Sequence, residues 1–502
     1  MTEVLRKLQS FPPPPEESKN LTDKLYHERA QNFVKSLSKS LSADIRSSEA
    51  ASSLLDQLDP SKFSLSYLLV FHHQIIGLSN KPNDAVPDGF YPGSAPWRRA
   101  CLFLGTFDPV QVRYAGNQWR TVVELLAKAA ESANKPLVAI RPIRDAILRL
   151  DPTGATFTST HVILTRLCLL ARAYSLALPV LDKDVFFFPT HTDVAFLQRS
   201  EPIPCASHEI SANYITVSSG LTRSFGHREY LKYFLYGGMI YGALKEWGKA
   251  LHFLSIAISA PAVNTVSLIM VEAYKKWVLF QLLDKGSVPP LPKAVSPHAA
   301  KLYKSLARPY NALAEAFKAG DYNALKAEAE VGQSVWQMDN NTGLVLQVLR
   351  AFQKHSVLKL GSTFAALTIA DIANRTHLAA GNVAEVERSV INLVTRGELN
   401  ATLLHSTQGS ESTMVRFGAA DTKPAADLED TLRKHLVEER EKLYNLAKYV
   451  RASDYRMELG TEYIEYLRRN QKKREKAAKD GGGAAGKITD FDFDEDMMSD
   501  LR

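Results

Sequence analysis

A glycine-rich run near the end of the chain, Gly481-x-x-x-x-Gly486-Lys487, has the spacing with which backbone N–H groups and a lysine cradle nucleotide phosphates. That chemistry needs a strand before the loop and a Ser or Thr hydroxyl after the lysine to hold magnesium. Here a lysine-rich helical stretch precedes the run and Ile488 takes the hydroxyl's position, so a flexible linker is expected. His72 and His73 sit in an apolar run. Adjacent residues on a helix point about 100° apart, so the two cannot chelate one ion and read as core or interface histidines. Cys205 and His208 could reach a common metal, but the second half of a zinc site is missing. The chain has no His-Glu-x-x-His, no His-x-His followed by a distant Asp, and no Gly-x-Ser-x-Gly elbow. No catalytic residue, metal or cofactor is therefore expected.

The elements around these residues explain why. The chain has 502 residues, enough for more than one core, and 45% of them are hydrophobic, as in globular proteins. Lys and Arg exceed Asp and Glu by only seven, which does not by itself call for nucleic acid. Three cysteines, Cys101, Cys168 and Cys205, without paired spacing argue for a reducing compartment. No stretch reaches the ~18–20 uninterrupted apolar residues of a membrane span, and the N-terminus lacks the apolar segment of a signal peptide. A soluble intracellular protein is expected.

The strongest pattern lies in the middle of the chain. Phe234, Gly238, Tyr241, Ala250, Leu254 and Ala257 fall at the spacing of one tetratricopeptide-like repeat, which Pro261 ends one residue early. Gly238 and Ala250 would let two helices approach closely, with Tyr241 and Leu254 filling the groove between them. Repeats of this kind hold partners. Helical periodicity also marks residues 67–76, 117–150 (two helices joined near Pro136), 157–180 (one helix), 228–285 and 297–352. Breaker-dense residues 80–97 and the irregular stretch 183–225 read as loops. The fold class is mainly α: N-terminal helical repeats over residues 1–225, a helical segment over 226–355, and then a change of pattern.

From residue 356 to 420 the pattern is that of a winged helix. Phe364 to Leu367 is short and apolar; Thr368 with Asp371 makes a capping box for a short helix. Asn382 with Glu385 caps a second helix, whose buried face is Val383, Val386, Val390 and Val394 and whose end is marked by Gly397. Residues 400–404 and 413–417 read as a two-stranded hairpin. A DNA-reading second helix would present Arg, Lys, Asn or Gln to the bases. This one offers Glu385, Glu387, Arg388, Asn392 and Arg396. Two acids at its leading end repel phosphates, so a protein-binding winged helix is the better reading.

One long helix is expected over residues 425–476. Leu436, Leu443, Val450, Met457 and Ile464 recur every seven residues; Leu446 and Leu467 occupy the companion position, where Ser453 and Gly460 interrupt. Such an imperfect seam suits burial in a bundle better than a two-stranded coil. The basic run 468–479 reads as a solvated helix end, a nuclear import signal or a phosphate-binding patch. Residues 477–502 are expected to be a disordered acidic tail, in which Phe491 and Phe493 alternate with acids.

Helical repeats followed by a winged helix and a C-terminal helix resemble the PCI family of scaffold subunits, found in the proteasome lid, the signalosome and translation-initiation complexes. Tyr236-Gly-Gly-Met-Ile-Tyr241, Glu272-Ala-Tyr-Lys-Lys276, Pro309 with Asn311-Ala312, and Asp339-Asn-Asn-Thr-Gly-Leu-Val345 are similar to the signalosome branch over roughly residues 160–405. The resemblance implies a non-catalytic, hetero-oligomeric subunit of the complex that removes Nedd8 from cullins, its zinc isopeptidase residing in another chain. It implies other signalosome PCI subunits and, through them, cullin-RING ligases as partners, neither nucleic acid nor membrane, and residence in cytoplasm and nucleus. Winged helices of the family pair edge to edge and C-terminal helices gather in one bundle. Carried onto this sequence, Leu403, Met414, Val415 and Phe417 would lie in or beside the winged-helix contact, and Leu436, Leu443, Leu446, Val450, Met457, Ile464 and Leu467 would enter the bundle. The alternative is a scaffold subunit of the proteasome lid, which needs the same fold.

Overall fold

The computed structural model describes residues 2–14, 21–44, 48–78, 86–189, 202–224, 226–262, 265–376, 383–404, 413–418 and 425–480. The chain divides into two compact units, residues 1–190 with 203–432, and 191–202 with 433–502.

The first unit begins with helices α1 (Thr2–Leu8), α2 (Asp23–Asp44), α3 (Ser48–Gln57), α4 (Ser64–Leu78), α5 (Ala95–Thr106), α6 (Pro109–Val112), α7 (Gly116–Ser132), α8 (Leu137–Leu150), α9 (Ser159–Leu170) and α10 (Leu178–Leu181). The breaker-dense stretch ends earlier than expected. Ser94 accepts from the Trp97 N–H and starts α5, and Pro96 sits in the first turn, where a missing N–H costs nothing. The single helix expected over 157–180 is broken. Arg172 adopts a left-handed conformation after α9, and its N–H and that of Ala173 close on the last carbonyls of the helix. A 3₁₀ turn (Tyr174–Ala177) and α10 follow.

Next come α11 (His227–Ala243), α12 (Trp247–Ile258), α13 (Leu268–Lys285), α14 (Pro297–Leu306), α15 (Arg308–Ala319), α16 (Tyr322–Val331), α17 (Gln333–Met338) and α18 (Thr342–Thr363). Helices α11 and α12 are the pair expected from the repeat pattern, and Phe234, Tyr241, Ala250, Leu254 and Ala257 are all buried in it. A Cβ on Gly238 would stand 2.7 Å from Leu254, so only glycine allows this approach. Helix α13 is buried on nearly every side, which is why its hydrophobicity shows no single face. One core runs from Leu8 to Phe352 through all these helices.

Helix α18 leaves that core without interruption. Val345, Val348 and Phe352 belong to it, while Val357 belongs to a second, smaller core. That core is the winged helix: β1 (Ala366–Thr368), α19 (Ile369–Thr376), α20 (Val383–Thr395), β2 (Ala401–Leu404) and β3 (Met414–Phe417). The sheet order is β1-β3-β2, antiparallel throughout, with Leu367 and Leu403 both opposite Val415. The short apolar run before Thr368 is thus a third strand, and the expected hairpin is two-thirds of a sheet. Thr368 accepts from the Asp371 N–H at 3.1 Å and starts α19. Gly397, at φ +70°, turns the chain after α20. Asn382 lies outside the described residues, as does the side chain of Val383.

The long C-terminal helix is two helices, α21 (Ala425–Glu458) and α22 (Thr461–Asp480). The break falls at Leu459-Gly460, where glycine's backbone freedom outweighs its neighbours' helix preference. Helix α22 also extends four residues beyond 476, through positions assigned from sequence to the tail. Residues 481–502, including the glycine-rich run, Phe491 and Phe493, lie outside the described residues.

Candidate subunit interface

The winged-helix sheet presents two faces of opposite character, because side chains alternate along a strand. Val415 and Phe417 point into the small core, and Leu403 packs against it. Phe417 lies against Gly361 of α18, whose Cβ, were it present, would stand 2.9 Å from the ring. Met414, in contrast, is 41% exposed. Its cross-strand partner is Leu404, 51% exposed and absent from the residues singled out in the sequence. The alternation along Ala401, Thr402, Leu403 and Leu404, inward then outward, was the signal that could have found it. Among the four expected contact residues, therefore, Val415 and Phe417 close the local core, and the exposed apolar pair is Met414 with Leu404. Strand β3 is paired on both sides, so the free edges of the sheet belong to β1 and β2.

On α20, Glu385, Arg388 and Asn392 are exposed, as is Arg396 just past its end, and Glu387 accepts from the Thr413 hydroxyl at 2.8 Å. An acid in the first turn favours the positive end of the helix dipole and disfavours a nucleic-acid phosphate there. Lys354 of α18 and Glu398 pair at 3.0 Å beside the small core.

In the second unit the heptad residues are divided between two helices, Leu436, Leu443, Leu446, Val450 and Met457 on α21 and Ile464 and Leu467 on α22. Leu436 is 71% and Leu443 64% exposed; Leu446, Val450, Met457 and Leu467 are also exposed, and Ile464 is half-buried. Leu432, Val437, Tyr444 and Tyr455, not singled out in the sequence, add to the apolar surface of α21. Helix α22 carries the basic run, with Arg468, Arg469 and Lys472 exposed.

The residues suspected of chemistry are structural where described. Cys205 donates its thiol hydrogen to the Asp23 carbonyl at 3.2 Å, and His208 Nε2 lies 2.7 Å from the Ile203 carbonyl. Burial, with the charge of His73, depresses the pKa of His72. Burial pushes the Cys101 thiol up to about 11 and the Cys168 thiol up to about 12, so neither forms a thiolate readily. Among the described residues no group of three His, Cys, Asp or Glu side chains is placed to hold a metal, and no helix is long and apolar enough to cross a membrane.

Residues 27–299 match the family profile described as COP9 signalosome complex subunit 3, N-terminal helical repeats. The COP9 signalosome complex subunit 3 of Emericella nidulans is 38% identical over 503 residues, covering all of both chains. That of Arabidopsis thaliana is 28% identical over 366 residues, 73% of each chain. A match of this extent spans the repeats, the winged helix and the C-terminal helices together, and the chain belongs to the COP9 signalosome complex subunit 3 family.

Proposed function

We propose that the chain is a non-catalytic scaffold of a signalosome that removes Nedd8 from cullins, and that the isopeptidase is a separate zinc-bearing subunit. The observation that carries this reading is the apolar face of α21. A protein that worked alone would bury a row such as Leu436, Leu443, Val450 and Met457 in its own core; here it is exposed on a helix that follows a winged helix. A bundle with the C-terminal helices of other subunits would cover it. The exposed Leu404–Met414 pair, beside the free edge of β2, supports a second contact with a neighbouring winged helix. The partners are other PCI subunits and, through the assembled complex, cullin-RING ligases. Full-length likeness to a signalosome subunit favours this set over the proteasome lid. The basic run in α22 supports shuttling between cytoplasm and nucleus.

The test is affinity purification of the tagged full chain from its own cells, with mass spectrometry and an assay for Nedd8 removal from cullin. Recovery of PCI subunits with a zinc isopeptidase is expected, and the same chain lacking residues 425–480 should lose them. Retention of every subunit by the truncated chain would remove the argument from the exposed face.

A further inference from the structure

The four stretches that resemble the signalosome branch are separated by up to 100 residues, yet they converge in space. Lys276 on α13 is 6% exposed and its ammonium lies 2.6 Å from Glu272 and 2.8 Å from the Asn341 side-chain oxygen. Asn341 donates to the Tyr310 hydroxyl at 2.7 Å; Tyr310 donates to Asp339 at 2.8 Å, and Lys275 reaches the same Asp339 oxygen at 2.7 Å. Tyr274 donates to Asn311 at 2.8 Å. Such a network fixes α13, α15 and the start of α18 to one another.

Above the network lies a cleft of about 270 Å³, between α11, α13 and α18. Met239, Phe280 and Leu344 supply apolar walls, and Lys245, Lys276 and Asn340 supply polar ones. An ammonium carries three donors, and Glu272 and Asn341 take two of those on Lys276. Lys245 and Asn340 each hold a left-handed conformation just past a helix end, which turns both into the cleft wall. Lys245 makes no side-chain hydrogen bond or ion pair among the described residues. The charges do not cancel: among the described residues Lys275 and Lys276 pair with Glu272 and Asp339, and the charge of Lys245 is left over.

We propose that this cleft holds one carboxylate of another subunit, with an apolar neighbour of that carboxylate seated against Phe280 and Met239. The acceptor oxygens would take the third Lys276 donor and the Lys245 ammonium. A single negative charge balances the site. Lysines act as point charges suited to it, and the arginine fork that usually marks a phosphate site is missing from the cleft walls. This inference rests on the scaffold reading and adds to it a site in the repeats, away from the winged helix.

The experiment is zero-length carbodiimide coupling on the intact, affinity-purified complex, with mass spectrometry of the linked peptides. Carbodiimide joins a carboxylate to a lysine amine only when the two already touch. The expected result is an amide between Lys245 and an Asp, Glu or C-terminal carboxylate of another subunit; the mass of the linked peptide distinguishes side chain from terminus. Lys245→Asn, which tolerates the left-handed backbone, should unfold at the wild-type midpoint yet weaken the chain's hold on that subunit about tenfold. Lys245→Arg should restore it. A complex recovered complete, with Lys245 uncoupled or Lys245→Asn bound as tightly as wild type, would overturn the inference and leave the scaffold reading standing. Recovery of the chain with no signalosome subunit would overturn both.

Discussion

Gly238→Ala sets two effects of opposite sign against each other, and the structure decides between them. Helix propensity alone favours alanine over glycine by about 0.5–1 kcal/mol in a helix interior. Against this stands the groove between α11 and α12. The new Cβ would lie 2.7 Å from both Leu254 Cγ and Cδ2, well inside van der Waals contact, and 3.4 Å from the Ala250 carbonyl oxygen. Leu254 is wholly buried and so has little room to move aside. Overpacking of this kind costs about 1–3 kcal/mol, which outweighs the propensity gain, and a net loss of up to about 2.5 kcal/mol is expected. Urea unfolding followed by tryptophan fluorescence would read it, since two of the five tryptophans report on this region: Trp247 opens α12 and the Trp277 indole donates to Ser255. Two controls isolate the cause. Gly248 has open space where a side chain would stand, so Gly248→Ala should be neutral or stabilising by up to about 1 kcal/mol. Leu254→Ala should itself cost about 2–5 kcal/mol. In that background Gly238→Ala should turn favourable, because the clashing atoms are gone. A stabilising Gly238→Ala in the otherwise wild-type chain would refute the close-approach argument.

Lys276→Met should be strongly destabilising, near the lower end of about 3–5 kcal/mol because Glu272 is a quarter exposed, and adding Glu272→Met should recover most of the loss in the same unfolding assay. His161 is fully buried and its Nδ1 accepts from the Thr158 N–H; burial depresses its pKa from 6.5 to about 4. The unfolded chain therefore takes up a proton that the folded chain refuses, so stability should fall as pH drops from about 6.5 towards 4, by roughly 3 kcal/mol at most. The slope of unfolding midpoint against pH in that window should flatten in His161→Gln. Leu443→Asp replaces an exposed side chain, so it should leave the unfolding midpoint within about 0.5 kcal/mol of wild type while the variant chain recovers fewer subunits on purification. A lowered midpoint with recovery unchanged would mean that Leu443 supports the chain's own fold.

How far the sequence disclosed this protein depended on the kind of residue asked. Phe234, Gly238, Tyr241, Ala250 and Leu254 were legible because helix–helix contact imposes a period and a size on each position, and those constraints are local. The winged helix was legible from its caps, Thr368 and Gly397, but β1 was not. Three residues are too few to show alternation, and Leu367 becomes a strand only by pairing with Val415, nearly fifty residues later. The breaks at Arg172 and Gly460 were also hidden, since periodicity continues across both and backbone conformation does not register in it. For the same reason Val415 and Phe417 looked available for contact. Facing inward or outward is decided by register with the opposite strand, and the exposed Leu404 sits one residue from the inward Leu403. The polar network around Lys276 was the least legible of all. Only Glu272 and Lys276 stand at a helical i,i+4 spacing; the other members are scattered across α13, α15 and the turn before α18, and no spacing rule connects them.

The exposed face of α21 says more than that a partner exists. On a straight helix a strict seven-residue repeat drifts by about 20° per heptad, so Leu436, Leu443, Val450 and Met457 wind about 60° around the axis over three heptads. Two-stranded coils absorb this by supercoiling around an even seam with both positions filled. Here the second position is filled by Leu432 and Leu446 but taken by Glu439 between them, and it is lost again at Ser453 and Gly460. Val437 and Tyr444 widen the face on the other side in the first half, and Tyr455, five full turns beyond Val437, continues it in the second. Taking 100° per residue, the apolar side chains of residues 432–446 spread over about 180° of the helix, from Leu446 to Val437, and Val450, Met457 and Tyr455 spread over about 160°. One neighbouring helix covers little more than a narrow stripe. On the scaffold reading, a face this wide along the whole of α21 calls for at least two neighbouring helices, which a place within a bundle supplies and a two-stranded coil does not.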